Sequence, residues 1–302
     1  MRLVVTGASG FIGTALCARL LAKGHRLTLL TRSAPHEPRT ESKKWLHWTP
    51  GTPGDWESTL EEADGVINLA GEPIAAKRWT PNQKRKIRIS RVDVTDSLVE
   101  AIAKAKQKPP FMLNASAVGY YGPRGDETIT EDTPAGNDFL SSVCRDWEAE
   151  ANKAEALGLR VIRVRTGIVL GRDGGALAKM AVPFKFFAGG PLGSGKQWMP
   201  WIHLDDEVGL ILHLIDNSSA TGPVNATAPN PVTNNEFCRV LGKVMSRPSW
   251  LGAPAFALRL MLGEMAELLL TGQRAVPTAA QRLGYEFRYP NLYDALRACM
   301  PI

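Results

Sequence analysis

Short apolar runs alternate with longer segments of helical period along the first part of this chain. The runs are continuously apolar, as in LVV near the amino terminus and VINLA further on, which is typical of strands buried on both faces. Strands that alternate with helices form parallel sheets covered on both sides. The pattern predicts strands at 2–6, 26–31, 65–69, 111–115 and 160–165.

The helix expected after the third of these strands has the clearest start signals. Thr80 is a residue type that caps helices, and Pro81 suits the first helical position because its missing N–H needs no partner there. Gln83 completes a capping box with Thr80. The helix is expected to continue to about Lys106, before two prolines that stop it.

A second helix is expected over 140–157, because Gly158 stands where a left-handed residue ends a helix. After the last predicted strand the pattern loosens. The segment 189–206 is rich in glycine and aromatic residues, which indicates either a loop over a site or an ordinary surface connection. Thr233 and Glu236 form another capping box, which opens a mostly helical tail.

The first strand runs into a glycine-rich turn, TGASGFIG, and then into a helix with an apolar face. In such a unit the first glycine permits a tight turn, the second lets the backbone approach a diphosphate, and the third lets the helix pack closely on the strand. The diphosphate then lies at the helix N-terminus, where N–H groups are unpaired. The turn therefore predicts a dinucleotide site. Its expected contacts are Gly7, Ser9, Gly10, Phe11, Ile12 and Gly13.

The end of the second strand indicates which dinucleotide binds. NAD-specific sites usually have an acidic residue about 20 residues beyond the glycines, which accepts from a ribose hydroxyl. Here the strand ends in Thr31 and Arg32, and no acidic residue follows before Glu37. A carboxylate would repel a 2′-phosphate, whereas a guanidinium pairs with it through two parallel hydrogen bonds. NADP is therefore the expected cofactor, with Thr31 and Arg32 among its contacts.

These features predict an α/β fold, a Rossmann-type doubly wound parallel sheet with a smaller, mostly helical C-terminal lobe. A chain of 302 residues, 44% of them hydrophobic, can bury one large core and a smaller one. We expect the NADP-binding domain to span 1–170, with parts of 200–230 returning to it. The lobe that binds the substrate is expected over 171–302, and mostly over 233–302.

The formal net charge of +6 is modest, but basic residues are concentrated in one segment. Seven of them lie within 77–91, where they form either a solvated helix face or a site for an anionic ligand. Surfaces that bind nucleic acid usually interleave aromatic and basic residues, and only Trp79 lies inside this cluster. We therefore expect a small-molecule substrate and no nucleic acid as the partner.

The four cysteines lie far apart, with no CxxC pair, and the five histidines form no ligand-spaced cluster with them. Neither a disulfide framework nor a metal site is expected. The sequence opens directly on an apolar strand and has no apolar run long enough to span a bilayer. The expectation is a cytoplasmic protein with no membrane partner.

Several longer stretches resemble those of a known family. TGASGFIG, VINLAG, NASAVGYYG, RVRTGIVLG and WIHLDDEV resemble the extended short-chain dehydrogenase/reductase family, in its epimerase and dehydratase branch. AGEPIAAKRW, GGPLGSGKQWMPWIH and GQRAVP resemble an atypical subgroup of unassigned substrate, some members of which are labelled as cell-division inhibitors. The resemblance covers essentially the whole chain. It implies NADP binding and a small lobe that closes over a substrate.

The matching stretches carry further expected cofactor contacts. VINLAG ends in small residues, which would let the backbone approach the adenine ribose, although a purely structural strand end has the same pattern. The basic helix after AGEPI places one arginine about three turns in. The expected contacts in these stretches are Leu69, Ala70, Gly71, Glu72, Arg91, Thr166 and Gly167.

The catalytic residues that the family implies are only partly present. Its usual site has a Ser or Thr after the fifth strand and, on the next helix, a Tyr four residues before a Lys. The Tyr transfers a proton, and the Lys ammonium lowers the pKa of the Tyr and holds the nicotinamide ribose. Ser116 occupies the first position, give or take one residue.

The positions of the Tyr and Lys hold other residues. When Glu148 is aligned with the acid of that helix, the pair falls at Phe139 and Val143, or one residue later at Leu140 and Cys144. None of these side chains can donate a proton as a tyrosine does and also hold a ribose as a lysine does. The usual dyad is therefore absent.

No other register restores the dyad, because no tyrosine lies between Tyr121 and Tyr285, and Lys153 has no tyrosine four residues before it. Tyr120 and Tyr121 follow Ser116 on a loop at the carboxyl end of the sheet, where ligands of such folds bind. They are the leading candidates for the missing acid, although packing is the expected role of at least one. His203 is a weaker candidate.

Two functions fit this sequence. The first is an NADP-dependent oxidoreductase or epimerase that acts on a small, anionic or sugar-like substrate, and the basic helix and the loop over the site favour it. The second is a non-catalytic NADP(H)-binding protein with a regulatory or sensor role, which the absent dyad favours. We prefer the enzyme, and either function allows a homodimer.

Overall fold

The structure is a computed structural model that describes residues 1–33, 40–172 and 174–300. Strands and helices alternate through its first two thirds, and helices dominate the rest. The strands are β1 (Arg2–Thr6), β2 (Arg26–Thr31), β3 (Lys43–His47), β4 (Gly65–Asn68), β5 (Phe111–Ala117), β6 (Thr128–Ile129), β7 (Arg160–Thr166), β8 (Ile168–Gly171), β9 (Trp198–Met199), β10 (Trp201–His203), β11 (Gly222–Ala226), β12 (Val232–Thr233) and β13 (Arg274–Ala275).

The helices of the described residues range from one turn to four turns. None of them is long and apolar enough to cross a membrane. They are α1 (Phe11–Ala22), α2 (Ser58–Glu61), α3 (Pro81–Ile89), α4 (Val92–Lys104), α5 (Phe139–Asn152), α6 (Gly175–Lys185), α7 (Leu204–Asp216), α8 (Asn234–Met245), α9 (Ala255–Leu262), α10 (Glu267–Leu270), α11 (Thr278–Arg282) and α12 (Leu292–Cys299).

The main sheet is doubly wound. Within the described residues it has seven strands in the order β11, β7, β5, β4, β1, β2, β3, all paired in parallel. The chain runs outward from β1 through β2 to β3, then crosses back to β4 and runs outward in the other direction. The winding direction therefore changes between β1 and β4, and ligands of such folds bind in the crevice at that point.

Alternation along the strands builds a core on each face of the sheet. Leu3 and Val5 of β1 belong to a cluster that includes Leu16 of α1 and residues of α7. Val4, between them, faces the other cluster, with Leu98 of α4 and residues of α5. Successive side chains of a strand point to opposite faces, so both faces need a covering of helices.

A third cluster forms the core of the C-terminal lobe. It joins Leu177 of α6, Phe237 of α8 and Leu296 of α12. The lobe is not wholly separate, because Ala279 and Ala280 of α11 lie in the cluster shared by α1 and α7. The predicted boundary near residue 170 therefore stays a prediction.

The five predicted strands agree with β1, β2, β4, β5 and β7 to within two residues at each end. The sequence pattern did not predict β3 or β11, which are the two edges of the sheet. The β3 sequence, KKWLH, is half-exposed and lacks an apolar run. The β11 strand begins with Gly222 and Pro223, and proline is tolerated only at sheet edges.

The predicted helix from 81 to about 106 is wrong in one respect: it is two helices, α3 and α4, which meet at Ser90 and Arg91. Its start is confirmed, because the Thr80 hydroxyl accepts from the backbone N–H of Gln83 at 3.2 Å. The Ser90 hydroxyl accepts from the backbone N–H of Glu72 at 2.9 Å. This tertiary contact lies at the break, and helical periodicity cannot reveal it.

Two other predicted segments are corrected in part. The helix expected over 140–157 is α5 followed by a short 3-10 helix, Glu155–Leu157, and Gly158 ends it in the left-handed region, at φ 88°. The segment 189–206 is not one loop, because it contains β9, β10 and the start of α7.

Candidate functional site

The glycine-rich turn forms a cradle that side chains would fill. Gly7 has φ of 69°, and a Cβ there would lie 2.5 Å from the carbonyl carbon of Leu69. A Cβ on Gly13 would lie 2.1 Å from the carbonyl oxygen of Gly7. Gly10 precedes α1 and provides no side-chain cap, so the first N–H groups of α1, from Phe11 onward, are free to bind an anion.

The residues around this cradle differ in their exposure to solvent. Ser9 and Gly10 are exposed, whereas Ile12 packs against the core. The Phe11 ring lies beneath the turn after β8, since a Cβ on Gly174 would be 2.6 Å from it. The structure thus brings the first turn of α1 together with the ends of β1, β4 and β8.

Arg32 lies at the end of β2, beside the cradle on the side away from β4. It is exposed and forms no ion pair with any described residue. The Thr31 hydroxyl accepts from the backbone N–H of Ser33 at 3.2 Å, which fixes the turn that carries Arg32. Glu37 lies outside the described residues. A guanidinium in this position can reach a phosphate on the adenosine side of a dinucleotide.

A chain of buried polar side chains supports the cradle from below, and sequence reasoning missed it. The Thr6 hydroxyl donates to Asn68 Oδ1 at 2.6 Å, and Asn68 Nδ2 donates to Asn114 Oδ1 at 2.7 Å and to Thr95 Oγ1 at 2.9 Å. The Trp147 indole donates to the same Thr95 hydroxyl at 2.9 Å. The network ties the ends of β1, β4 and β5 to α4 and α5.

Ser116, the expected catalytic serine, is buried in a second network. Its hydroxyl donates to Glu148 Oε1 at 2.6 Å. Arg165 donates to both oxygens of Glu148, with Nε and Nη2 each at 2.8 Å. Ser116 is only 4% exposed, and its hydroxyl already has a carboxylate partner. This geometry favours a structural role for Ser116, and its expected catalytic role stays a prediction.

Tyr121 is enclosed in the same network. It is fully buried, and its hydroxyl donates to Asn225 Oδ1 at 2.7 Å and accepts from Arg165 Nη1 at 2.8 Å. Burial raises the pKa of Tyr121 to about 12, against the lowering effect of Arg165. This enclosure favours a structural role for Tyr121, and its expected role as the acid stays a prediction.

Tyr120 is the tyrosine that stays accessible. It is half-buried, and the centre of its ring lies 3.6 Å from Cζ of Arg165, a close cation–π contact. It lines a cavity of about 350 Å³ together with Arg145 and Arg163. Of the two tyrosines, only Tyr120 combines a phenol with access from outside.

The structure distinguishes the two registers proposed for the absent dyad. Leu140 and Cys144 both lie against Gly119, just beyond β5, since a Cβ there would be 3.5 Å from Leu140 Cβ and 3.9 Å from Cys144 Sγ. Phe139 instead packs edge-on against Trp79, with ring centres 5.3 Å apart. The residues that contact Gly119, just beyond β5, are therefore Leu140 and Cys144, whereas Phe139 packs elsewhere.

Two other candidates have structural partners. Lys153 is at the exposed end of α5, where it pairs with Asp96 at 3.2 Å. His203 caps α7 through Nδ1, which accepts from the backbone N–H of Asp205 at 3.1 Å, and its ring stacks on Tyr289. Burial lowers the pKa of His203 below its ordinary value. Neither residue replaces the dyad.

Glu207, in the first turn of α7, is a buried acid that the sequence did not single out. Thr166, at the end of β7, donates to its Oε1 at 2.8 Å, and Oε2 has no hydrogen-bond partner among the described residues. Burial raises the pKa of Glu207 from 4.5 to about 8. Burial therefore favours the neutral carboxyl, which lies directly behind Thr166, one of the expected cofactor contacts.

The basic segment is a solvated face only in part: Arg85 and Lys86 are exposed, whereas other basic residues contact neighbouring elements. Lys84 pairs with Glu264 of the C-terminal lobe, with Nζ 2.6 Å from Oε1. Arg88 pairs with Asp146 of α5. Arg91 lies against Gly71, at the end of β4. The segment thus connects the sheet, α5 and the lobe.

Comparisons with known proteins agree with this geometry. The pattern of the NAD dependent epimerase/dehydratase family matches residues 3–226, and a domain of unknown function, DUF1731, matches residues 253–299. An Arabidopsis thaliana protein, the chloroplastic epimerase family protein SDR39U1 homolog, is 46% identical over 303 aligned positions, which cover 99% of this chain and 87% of that protein.

Two solved structures are similar to this chain in both fold and sequence. Human epimerase family protein SDR39U1, crystallised with NADPH, has a TM-score of 0.86 and 35% identity, and the match covers 98% of each chain. A nucleoside-diphosphate sugar epimerase from Corynebacterium glutamicum has a TM-score of 0.80 and 35% identity, over 99% of this chain and 57% of that one. The chain therefore belongs to the NAD dependent epimerase/dehydratase family and, within it, resembles epimerase family proteins of the SDR39U1 type.

Proposed function

We propose that this protein is an NADP(H)-dependent oxidoreductase or epimerase that acts on a small, anionic or sugar-like substrate. The observation that carries the proposal is the glycine cradle at the open N-terminus of α1, with the exposed Arg32 at the end of β2. The NADPH found with the human relative supports the choice of cofactor. The similarity to a nucleoside-diphosphate sugar epimerase supports the substrate class.

The proposed cofactor site spans the carboxyl edge of the sheet. The first N–H groups of α1 bind the diphosphate, and Arg32 binds the 2′-phosphate. Small residues at the end of β4 leave room for the ribose. When bound, the cofactor supplies or accepts a hydride. The proposed contacts are Gly7, Ser9, Gly10, Phe11, Ile12, Gly13, Thr31, Arg32, Leu69, Ala70, Gly71, Glu72, Arg91, Thr166 and Gly167.

The proton that accompanies the hydride must come from outside α5. Leu140 has no ionisable group, and burial raises the pKa of the Cys144 thiol to about 12. Tyr120 is the accessible phenol on the loop after β5, so we propose Tyr120, or water, as the proton donor. A positioned general acid contributes about 10²- to 10⁴-fold in rate, so its replacement by water predicts slow turnover.

A second function, a non-catalytic NADP(H)-binding protein with a regulatory or sensor role, has its own support. The positions that face the end of β5 on α5 hold a leucine and a buried cysteine. Lys84 links the cofactor-binding part of the chain to the C-terminal lobe through Glu264. A cofactor could therefore alter the position of the lobe with no chemistry. Turnover of the bound cofactor separates the two functions.

The homodimer and the cytoplasmic location expected from the sequence both stay predictions. Sedimentation of the purified wild-type protein at several concentrations would test the dimer. Neither bears on how the cofactor is held.

The experiment that tests the cofactor proposal is calorimetric titration with NADPH and NADH. A charge-assisted pair contributes about 1.5 to 3 kcal/mol. Arg32→Ala should therefore weaken NADPH roughly 10- to 100-fold and leave NADH nearly unchanged. Arg26→Ala is the matched control, because Arg26 is exposed at the opposite end of the same strand. Equal affinity of the wild type for the two cofactors would contradict the proposal.

A further inference from the structure

Arg91 places a positive charge at the carboxyl edge of the sheet, on the opposite side of β1 from Arg32. A Cβ added to Gly71 would lie 3.1 Å from both Cζ and Nη2 of Arg91, so the guanidinium packs flat against that backbone. Gly71 follows β4, whereas Arg32 follows β2, and β1 lies between these two strands. The two arginines therefore flank the glycine cradle.

The break between α3 and α4 holds Arg91 in this place. The residue has φ of −116° and ψ of −61°, and its Nη1 donates back to the carbonyl of Ile87 at 3.1 Å. The Ser90 hydroxyl accepts from the backbone N–H of Glu72 at 2.9 Å, which fastens the break to the segment just after Gly71. These hydrogen bonds therefore fix the position of the Arg91 guanidinium.

The charge of Arg91 has no carboxylate close enough to neutralise it. No Asp or Glu among the described residues lies within ion-pair distance of it, and Glu72 acts on it only from further away. Its guanidinium lies 5.3 Å from the ring centre of Trp147. Burial lowers the pKa of Arg91, yet an arginine stays charged in proteins. A partly buried cation of this kind is stabilised by an anionic ligand.

The positive charge of Arg91 also acts on Cys144 of α5. Burial raises the pKa of the Cys144 thiol to about 12, and Arg91 is the strongest of the groups that oppose this rise. Cys144 faces Gly119 beyond β5, where α5 itself offers no cation. The Arg91 guanidinium, at the start of α4, therefore acts on the part of the site where α5 has Cys144 and no cation.

We propose that Arg91 binds the diphosphate and ribose on the nicotinamide side of the cofactor and so supplies, from the break between α3 and α4, the positive charge that α5 lacks. The inference rests on the proposed NADP(H) binding. The topology assigns the side: a dinucleotide centred on the cradle extends its adenosine half toward β2 and Arg32, and its other half toward β4 and β5. The role is one of binding, because a guanidinium does not release its proton at neutral pH.

The test compares two ligands that differ in the nicotinamide half. NADPH contains both halves, whereas adenosine 2′,5′-bisphosphate has the 2′-phosphate and lacks the nicotinamide ribose and its phosphate. Arg91→Met should weaken NADPH roughly 10- to 100-fold and leave adenosine 2′,5′-bisphosphate within about twofold. Arg91→Lys should recover part of the loss, because it restores the charge without the planar fork.

Arg85→Met is the control, because Arg85 is exposed on α3 and belongs to the same basic segment. Circular dichroism and the melting temperature of each variant establish that it is folded.

The outcomes separate this inference from the function on which it rests. A wild type that binds neither ligand contradicts the proposed function. If the wild type binds both, unchanged NADPH affinity in folded Arg91→Met overturns the inference. Equal weakening of both ligands in that variant also overturns it, because it would place Arg91 on the adenosine half.

Discussion

Buried charges near the carboxyl edge of the sheet are held by specific partners. Arg165 stands in the buried strand β7, and Glu148 pairs with it through two hydrogen bonds of 2.8 Å. The sequence shows an arginine within an apolar strand, from which a buried acid partner could be predicted. It does not show which acid, because the two residues are brought together only by the packing of α5 on the sheet. For the same reason the sequence did not show that the Ser116 hydroxyl bonds to Glu148.

Glu207 should make stability fall as the pH rises. Its pKa is 4.5 when solvated and about 8 in the fold, so between these values the folded protein holds a proton that the unfolded chain has lost. The unfolding free energy of the wild type should therefore decrease from about pH 4.5 to pH 8, relative to Glu207→Gln, by about 1.4 kcal/mol per unit of pKa shift at most.

Urea unfolding at pH 5, 6.5 and 8 measures this difference, because other groups that titrate in the same range contribute equally to both proteins. A difference between wild type and Glu207→Gln that stays constant over this range would show that Glu207 is ionised in the fold. Glu236→Gln, at an exposed position of α8, is a suitable control.

Tyr120 should matter to turnover and not to cofactor binding. Tyr120→Phe removes the hydroxyl and keeps the ring that lies on Arg165, so the fold and NADPH affinity should be unchanged. Single-turnover oxidation of bound NADPH, followed by fluorescence over a panel of carbonyl compounds and nucleotide sugars, should slow by about 10²-fold or more if the phenol is the acid. Full turnover in this variant would leave water as the donor.

Tyr121→Phe provides the contrast, because its hydroxyl is enclosed by Asn225 and Arg165. This variant should lose about 1 to 3 kcal/mol of unfolding free energy, since two buried polar groups lose a partner. Turnover of the folded fraction should be retained. A complete absence of hydride transfer in the wild type over the whole panel would favour the non-catalytic function.

Among the secondary-structure elements, the sequence predicted those whose pattern depends only on residues close together in the chain. Continuous apolar runs identified β1, β2, β4, β5 and β7, since a strand buried on both faces has a pattern that depends on its own residues alone. The glycine turn was recognisable because Gly7 and Gly13 leave no room for a Cβ, and that constraint acts within a short segment. Edge strands lack both signals, so β3 and β11 were missed.

The break between α3 and α4 could not be predicted in this way. Its sequence, KIRISRVDV, carries neither glycine nor proline, the two residues that break helices most strongly. The Glu72 N–H bonds to Ser90 across the site, and the helix ends where that bond forms. Periodicity therefore placed Arg91 on a continuous helix face, whereas a long-range contact places it at the end of β4.

For the whole molecule, the segment from Glu72 to Lys84 forms one of the contacts between the sheet domain and the C-terminal lobe. Lys84 pairs with Glu264, Lys179 of α6 donates to the Ala75 carbonyl at 3.3 Å, and a Cβ on Gly263 would lie 3.1 Å from Arg78. The same segment starts at the end of β4, beside the glycine cradle. A ligand that orders this segment is therefore expected to order the adjoining part of the lobe as well.

Glu264→Gln should loosen this contact with little effect on global stability. The side chains of Lys84 and Glu264 are 28% and 50% exposed, and pairs of that kind contribute about 1 kcal/mol or less. Local opening is governed by the few contacts of a segment rather than by the whole core. Hydrogen exchange should therefore become faster on both sides of the contact, over 72–84 and over 263–270, while the melting temperature changes little.

Glu267→Gln is the matched control, because Glu267 pairs with Arg259 at 2.9 Å within the lobe. Its effect on exchange should be confined to the lobe and should leave 72–84 unchanged. NADPH should slow exchange over 72–84 in the wild type, and over 263–270 as well if the lobe is coupled to the cofactor through Lys84. If NADPH protects the lobe equally in wild type and Glu264→Gln, the coupling does not depend on the Lys84–Glu264 pair and runs through other contacts between domain and lobe, such as the Lys179–Ala75 hydrogen bond or the packing of α11.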